Sequence, residues 1–228
     1  MIIITGASRN IGKYLFERYY GVVDVIGTYN TTKPIEKYKD NIIYKVDVCD
    51  YESINHFYED IKSRISCLTL INCAGISYNS YAHKSDPNEW KKVIETNLIG
   101  LYYVIRVFLP KMRDQNYGRI INISSVAAQK CTPGISAYAA SKSGLWGMTK
   151  SICIENGSKN ITINNINLGY VRIGMGVEDV PEKYQEYIKK QIPSNDFCDE
   201  KDIYNTIEYI RNTKYLNGSS IDLNGGLI

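Results

Sequence analysis

Short, nearly continuous apolar runs recur along the chain. Most successive runs are separated by a segment long enough to form a helix. Six of them are rich in Ile and Val and have the length of a strand: residues 1–5, 22–28, 42–48, 67–72, 118–124 and 161–167. A further apolar segment lies at 219–223. Because apolar residues occupy nearly consecutive positions, the runs predict strands that are covered on both faces, as in a parallel sheet.

The segments between these runs have the spacing of amphipathic helices. Helices are predicted over residues 11–20, 51–65, 88–113, 136–157 and 199–212. Alternating strands and helices are typical of an α/β fold, here a doubly wound parallel sheet with helices on both faces. Since no repeat, low-complexity tract or linker interrupts the alternation, a single domain over residues 1–228 is predicted.

Residues 170–198 break this pattern, because they carry two prolines and two of the glycines in a mostly polar stretch. A short helix near 181–192 is predicted there, flanked by loops. In open α/β sheets, ligands bind beyond the carboxyl ends of the strands, and this segment directly follows the strand at 161–167. We therefore expect a lid that is mobile without ligand and orders when ligands bind.

Charge and hydropathy give no indication of a polyanionic partner. The net charge is +3, too small to predict binding to nucleic acid or to an anionic membrane. The longest apolar stretch, LIGLYYVIRVFL, is interrupted by Arg106 and is too short to span a bilayer. The first residues lack the pattern of a secretory signal, and the six cysteines form no CxxC pair and no metal-like cluster with histidine. A cytoplasmic protein with inert thiols and no metal is expected.

The first apolar run passes directly into a cluster of small residues, GASRNIG, which spans Gly6 to Gly12. A helix that starts here offers unpaired N–H groups and a positive dipole, and glycine lets the backbone approach a ligand closely. Asn10 stands where a third glycine is usual, and asparagine tolerates left-handed backbone angles. The loop predicts a phosphate cradle, with a plain strand–turn–helix connection as the alternative.

Two more groups of residues end strands at the same edge. INCAGIS closes one strand with small residues, which lets a planar group lie against the backbone. Ser125 closes another and is followed by Tyr138 and Lys142, which share a helix face because they are four positions apart. An ammonium group beside a phenol lowers the pKa of that phenol from about 10, which predicts a proton-transferring tyrosine. A surface helix pair without a role is the alternative.

Taken together, TGxxxxxG, NxAG, Asn97, Ser125 and YxxxK resemble the short-chain dehydrogenase/reductase family in order and spacing, over essentially the whole chain. The likeness extends to its 3-oxoacyl-carrier-protein reductase type. The resemblance implies a Rossmann-type fold and hydride transfer between a nicotinamide cofactor and a carbonyl or secondary alcohol.

The resemblance also implies the catalytic roles. Tyr138 is the acid in reduction or the base in oxidation. Lys142 lowers the pKa of Tyr138 and holds the nicotinamide ribose, and Ser125 binds the substrate oxygen. Asn97 anchors a water that links Lys142 to solvent.

The cofactor contacts implied by the resemblance form four groups. They are Gly6, Ser8, Asn10, Ile11 and Gly12 at the pyrophosphate, Asp47 and Val48 at the adenine, Asn72, Ala74 and Gly75 along the adenine ribose, and Gly169 and Val171 near the carboxamide. Thr28 takes the place at the end of the second strand where an acidic residue would select NAD. Arg9 matches an arginine that binds the 2′-phosphate, and Lys33 is a second candidate cation. NADP(H) is therefore favoured over NAD(H).

Two residues depart from the family pattern. Leu168 replaces the proline that commonly precedes Gly169, and Ile173 takes the place of a threonine whose hydroxyl meets the cofactor. The backbone of Val171 remains available to the carboxamide. These departures weaken the expected hold on the nicotinamide and leave the type of reaction unchanged.

Few residues in the sequence indicate the class of substrate. Tyr170, Tyr184 and Tyr187 suit an acyl channel or a stacked sugar, and Arg172 and Lys130 suit an acidic substrate or the phosphopantetheine of an acyl-carrier protein. The first hypothesis is reduction of a 3-oxoacyl thioester. The alternatives are a dehydrogenase or ketoreductase for a sugar or another secondary alcohol, and a dinucleotide-binding regulator without catalysis.

An oligomer is expected from the two longest predicted helices. They carry apolar residues all round, and an apolar outer face has to be covered by a partner. The residues concerned are Leu101, Val104, Val107, Phe108, Leu145, Trp146 and Ile152. Family members commonly pack these helices together, so a homo-oligomer is expected, a tetramer or a dimer.

Overall fold

The computed structural model describes residues 1–34, 38, 42–177 and 180–228, and these form a seven-stranded parallel sheet. The order of the strands is β3-β2-β1-β4-β5-β6-β7. Their bounds are β1 Ile2–Thr5, β2 Val25–Tyr29, β3 Ile43–Lys45, β4 Thr69–Asn72, β5 Gly118–Ser125, β6 Ile161–Leu168 and β7 Ser220–Leu223. The order reverses between β1 and β4, which places a crevice at their carboxyl ends.

The helices lie between the strands, as predicted. They are α1 Asn10–Tyr19, α2 Tyr51–Ile61, α3 Pro87–Ile94, α4 Gly100–Gln115, α5 Ser136–Asn156, α6 Glu182–Lys189 and α7 Glu200–Asn212. The short α6 lies within the predicted lid, and its bounds fall inside the predicted range 181–192.

Two apolar cores cover the two faces of the sheet. In β1, Ile3 points into a core shared with α2, α4 and α5, whereas Ile2 and Ile4 point into a core shared with α1 and α7. Successive side chains of a strand point to opposite faces, so a strand between two cores has to be apolar throughout. This confirms the predicted doubly wound fold and explains the continuous apolar runs.

Several predicted boundaries are wrong for local reasons. The second strand begins at Val25 and not at residue 22, because Gly21 turns with φ 79° and Val22 is 73% exposed. The fourth begins at Thr69, after Cys67 with φ 47°. The third strand ends at Lys45, and Val46 and Val48 are buried beyond it.

The predicted helix 88–113 contains a wider π-helical turn at Glu95–Ile99, between α3 and α4. The continuous helix Pro87–Gln115 is, by length and composition, long and apolar enough to cross a membrane, which the sequence did not predict. Its apolar residues pack against the sheet, as those of a core helix do. Functional sites often contain such π turns.

The apolar residues on which the predicted oligomer rested are mostly inside this chain. Leu101, Val104, Val107, Phe108, Leu145 and Ile152 are all buried in the core of one subunit. The reason given for an oligomer is therefore wrong. The apolar side chains that these helices expose are different ones: Ile99, Tyr102 and Ile154, which are 38%, 45% and 85% exposed.

Candidate active site

The loop between β1 and α1 has the backbone that the sequence predicts. Gly6 has φ 70°, and Asn10 has φ 49°, the left-handed conformation expected for the residue that replaces a glycine. Ser8, Arg9 and Ile11 lie in the same loop and first helical turn, with Arg9 exposed to solvent. The predicted phosphate loop thus exists as a tight turn into a helix.

Both flanking glycines are confined by backbone. A Cβ atom at Gly12 would stand 2.8 Å from the carbonyl carbon of Gly6 and closer still to its oxygen. A Cβ atom at Gly6 would stand 2.9 Å from Cα of Ala74, in the loop after β4. The two loops therefore touch through glycine, which leaves a shallow cradle bounded by backbone.

The start of α1 is free to bind an anion. Among the described residues no side chain caps it, and its first turn carries no acidic residue, whereas α2, α3 and α7 are capped by Asp50, Asp86 and Asp199. Unpaired N–H groups and the helix dipole both favour a phosphate. The cradle therefore fits the pyrophosphate of a nicotinamide dinucleotide.

Asn97 is completely buried in the π-helical turn and holds the loop after β4. Its Oδ1 accepts from the N–H of Ile76 at 2.9 Å, and its Nδ2 donates to the Ile76 carbonyl at 2.8 Å and to Oγ of Ser141 at 3.2 Å. A Cβ atom at Gly75 would lie 3.3 Å from Oδ1 of Asn97 and 3.8 Å from Nζ of Lys142. Asn97 thus fixes the wall on which Gly75 faces Lys142.

Ser125, Tyr138 and Lys142 come together at the carboxyl end of β5. The side chains of Ser125 and Tyr138 are hydrogen-bonded to each other, and Oγ of Ser125 accepts from the N–H of Ala127 at 3.1 Å. Nζ of Lys142 donates to the Ile123 carbonyl at 2.7 Å and lies 5.6 Å from the centre of the Tyr138 ring. The predicted neighbours therefore share one site.

The pKa of Tyr138 is shifted upward, whereas the sequence predicted a downward shift. Burial raises the pKa of Tyr138, and the hydrogen bond with Ser125 offsets this only in part. Burial also lowers the pKa of Lys142 to about 8, so the ammonium is itself costly to hold here. Desolvation disfavours the charged form of both groups, and it cannot be judged from local sequence spacing. The phenol is protonated at neutral pH.

Cys73 is a neighbour of this pair that the sequence did not single out. Its thiol is close enough to Lys142 for their charges to interact, and burial raises the pKa of Cys73 to about 12. It is therefore a neutral thiol at neutral pH. The N–H groups of Cys73 and Ala74 both donate to Oγ1 of Thr5 at 3.1 Å, which ties β1 to the loop after β4.

The side chain of Asn72 is buried and joins neighbouring strands of the sheet. That side chain is 2% exposed and donates to Asn122 at 2.9 Å, which in turn donates to Asn165 at 3.0 Å. The amides join β4, β5 and β6 inside the sheet. Oδ1 of Asn72 has no hydrogen-bond partner in the described part of the chain. Ala74 and Gly75 remain partly exposed at the edge.

Thr28 does not stand where the ribose selector was predicted. It is 1% exposed, and its carbonyl accepts from the N–H of Ala7 at 2.7 Å. The strand continues to Tyr29, which is partly exposed, and Asn30 follows as an exposed residue. Tyr29 and Asn30 therefore form the carboxyl end of this strand, and neither is acidic.

The remaining predicted contacts lie around this edge. Oδ1 of Asp47 accepts from the N–H of Cys49 at 2.9 Å, and Val48 is buried beside a small cavity that Asn72 and Ala74 also line. Gly169 is confined by Asn224, whose Cα lies 2.8 Å from the position of a Cβ atom. Val171 is buried and pairs with Cys198.

The two cations proposed for the substrate are already engaged. Arg172 donates to Asp196 at 2.5 Å and to Asp199 at 3.4 Å, which joins the start of the lid to its end. Lys130 donates to the carbonyl of Leu227 at 3.0 Å. Tyr184 and Tyr187 are more than half exposed on α6, while Tyr170 packs against Phe197.

A dinucleotide cradle beside a serine, a tyrosine and a lysine on a Rossmann-type sheet defines a nicotinamide-dependent oxidoreductase. The chain belongs to the short-chain dehydrogenase family, since the model described as short chain dehydrogenase matches residues 1–183. It is 33% identical to the acetoacetyl-CoA reductase of Shinella zoogloeoides, over 98% of this chain and 96% of the relative. It is 32% identical to the 3-oxoacyl-[acyl-carrier-protein] reductase of Staphylococcus aureus, over 99% and 96%.

Proposed function

We propose that this oxidoreductase reduces a 3-oxoacyl thioester to the 3-hydroxyacyl thioester with NADPH. The observation that carries the proposal is the contact of Ser125 with Tyr138 beside Lys142, at the edge where the phosphate cradle opens. The names of both relatives support a 3-oxoacyl thioester as the substrate.

The protonated phenol of Tyr138 can serve as the acid of the proposed reduction. Burial keeps the phenol neutral, so its proton is available to a substrate oxygen that becomes an alkoxide. The hydroxyl of Ser125 stands beside it and donates to the same oxygen as charge develops there.

Each group has a separate task. A reduced nicotinamide cofactor, when bound, would supply the hydride for the carbonyl carbon. Tyr138 would give its phenolic proton to the substrate oxygen, so that a secondary alcohol would result. Lys142, with a pKa of about 8, is mostly protonated at neutral pH and stabilises the phenolate left behind. Asn97 holds the backbone at Ile76, which keeps Gly75 against the lysine. Lys142 would also hold the nicotinamide ribose.

A spectrophotometric panel tests the proposal. Acetoacetyl-CoA is expected to oxidise NADPH faster than ketose sugars or simple ketones do at equal concentration. Acetoacetyl-acyl-carrier protein in the same panel distinguishes the two thioester carriers. Turnover of sugars alone would support the alternative alcohol dehydrogenase, and binding of NADPH without turnover of any substrate would support a regulator.

Arg9 is proposed to select NADP(H). It is exposed at the end of the phosphate loop, and Tyr29 and Asn30 at the end of β2 offer no carboxylate to an adenine ribose. A 2′-phosphate there would meet a guanidinium, and neither Tyr29 nor Asn30 is negatively charged; both circumstances favour NADP.

Arg9→Ala is expected to weaken NADPH binding and to leave NADH binding nearly unchanged. A hydrogen bond between charged groups contributes about 1.5–3 kcal/mol, so the preference should fall roughly tenfold or more. Dissociation constants of both cofactors, measured by fluorescence titration, check this. Lys13→Ala, four residues along α1, is the control. Equal losses for NADPH and NADH would mean that Arg9 only supports the loop.

A homo-oligomer is proposed from the outer faces of α4 and α5. Tyr102 and Ile154 expose 45% and 85% of their surface there, in place of the buried residues first considered. Light scattering coupled to size-exclusion chromatography is expected to give two or four times 26.0 kDa. A single 26.0 kDa species at micromolar concentration would contradict it.

A cytoplasmic location is proposed as well, and fractionation of the native cells tests it.

A further inference from the structure

Asn10 carries a side chain at a position of the phosphate loop where the sequence motif has glycine. Its backbone is left-handed, with φ 49°, and glycine adopts that conformation more readily than any residue with a side chain. The turn therefore gains nothing from the asparagine. The reason for its presence has to lie in what the side chain contacts.

The side chain of Asn10 lies against the backbone of the lid at Gly174. A Cβ atom at Gly174 would stand 2.9 Å from Nδ2 of Asn10 and 3.1 Å from its Cγ and Cβ. Gly174 is buried, has φ 78° and begins the short turn Gly174–Gly176. The two residues are complementary, because the asparagine on the loop fills the space that the glycine on the lid leaves.

The lid has other attachments, and they join different parts. The Val171–Cys198 bridge joins the two ends of the lid to each other, as Arg172 does through its aspartates. Ile173 packs in the same apolar core as Ile11. The contact of Asn10 with Gly174 differs in that its loop residue belongs to the cradle for the pyrophosphate.

We propose that Asn10 is a positioning residue that couples the lid to the bound dinucleotide, with Gly174 as its seat. The inference rests on the proposed function, because it concerns the same cofactor site. Ile173 has no hydroxyl with which to hold the lid to the cofactor. The Asn10 side chain instead attaches the lid to the phosphate loop, at the next residue, Gly174. A dinucleotide that orders the phosphate loop therefore also orders the lid.

A reciprocal exchange tests this coupling. Asn10→Gly removes the side chain from the loop, Gly174→Asn adds one on the lid, and the double variant moves the asparagine across the same contact. Each single change is expected to raise the NADPH dissociation constant roughly three- to tenfold, the scale of a coupled contact. Each should also speed amide hydrogen exchange at residues 171–177. The double variant is expected to bind NADPH within about threefold of the original protein and to regain its protection.

Two substitutions elsewhere control for backbone strain. Gly21 has φ 79°, and in the described part of the chain no atom lies within 4 Å of its Cβ position, so Gly21→Asn places asparagine in the same backbone without a contact. Asn116 has φ 49°, so Asn116→Gly matches the reverse change. Both controls should bind NADPH normally.

The proposal is overturned if the two single effects simply multiply in the double variant, or if the controls lose as much affinity. A parent protein that binds neither NADPH nor NADH would instead contradict the proposed function. The two failures are thus distinguishable.

Discussion

Tyr138→Phe is expected to lower the turnover number by a factor of about 10²–10⁴, the usual contribution of a positioned acid or base. The substitution removes the transferable proton and one oxygen, and little else. NADPH binding should be retained, because the ring still fills its place beside Lys142. Turnover with acetoacetyl-CoA and fluorescence titration with NADPH measure the two quantities separately.

Tyr215→Phe is the matched control, since Tyr215 is fully exposed. It makes the same chemical change without touching the site, and it should leave turnover unaltered. Near-normal turnover of Tyr138→Phe would remove the phenol from the mechanism. Loss of NADPH binding in step with turnover would mean that the oxygen maintains the shape of the site and not the chemistry.

Gly12→Ala is expected to have the second large effect, from a single methyl group. The new Cβ atom would meet the Gly6 carbonyl carbon at 2.8 Å and Cα of Ala7 at 3.3 Å. These are backbone atoms, so relief requires that α1 move away from the loop. We expect the free energy of unfolding to fall by about 3 kcal/mol, the upper part of the usual range for overpacking. NADPH affinity should fall as well, because the cradle opens.

Gly147→Ala supplies the comparison for this prediction. Gly147 lies in α5, and among the described residues no atom lies within 4 Å of its Cβ position. Alanine there should raise helix stability by about 1 kcal/mol. Urea unfolding and NADPH titration of both variants decide the matter. Unfolding of Gly12→Ala at the parent urea concentration, with parent affinity, would show that the loop is not sterically confined.

Local sequence patterns were sufficient to predict the strands, the helices and the kind of site. Hydrophobic periodicity is a local property, and β1 shows why it was sufficient: Ile3 and its neighbours feed two cores, so an unbroken apolar run indicates a strand inside a sheet. The spacing of Tyr138 and Lys142 on one helix fixed their proximity in the same way. The left-handed turn at Asn10 also followed from residue type.

The direction in which several side chains face depends on the packing of the whole fold. Thr28 is buried in β2, and the ribose edge falls to Tyr29 and Asn30. The side chain of Asn72 is buried and joins β4 to β5 through Asn122. Successive side chains of a strand point to opposite faces. An error of one residue in the predicted position of a site residue therefore exchanges a side chain at the ligand edge for one in the core.

The protonation state of Tyr138 also depends on the packing of the whole fold. The sequence placed an ammonium beside the phenol of Tyr138 and predicted a lowered pKa, whereas burial raises it. Desolvation is a property of everything that surrounds a group, and those surroundings come from distant parts of the chain. The contact between Asn10 and Gly174 arises in the same way, because two loops far apart in sequence meet only when the sheet brings their ends to one edge.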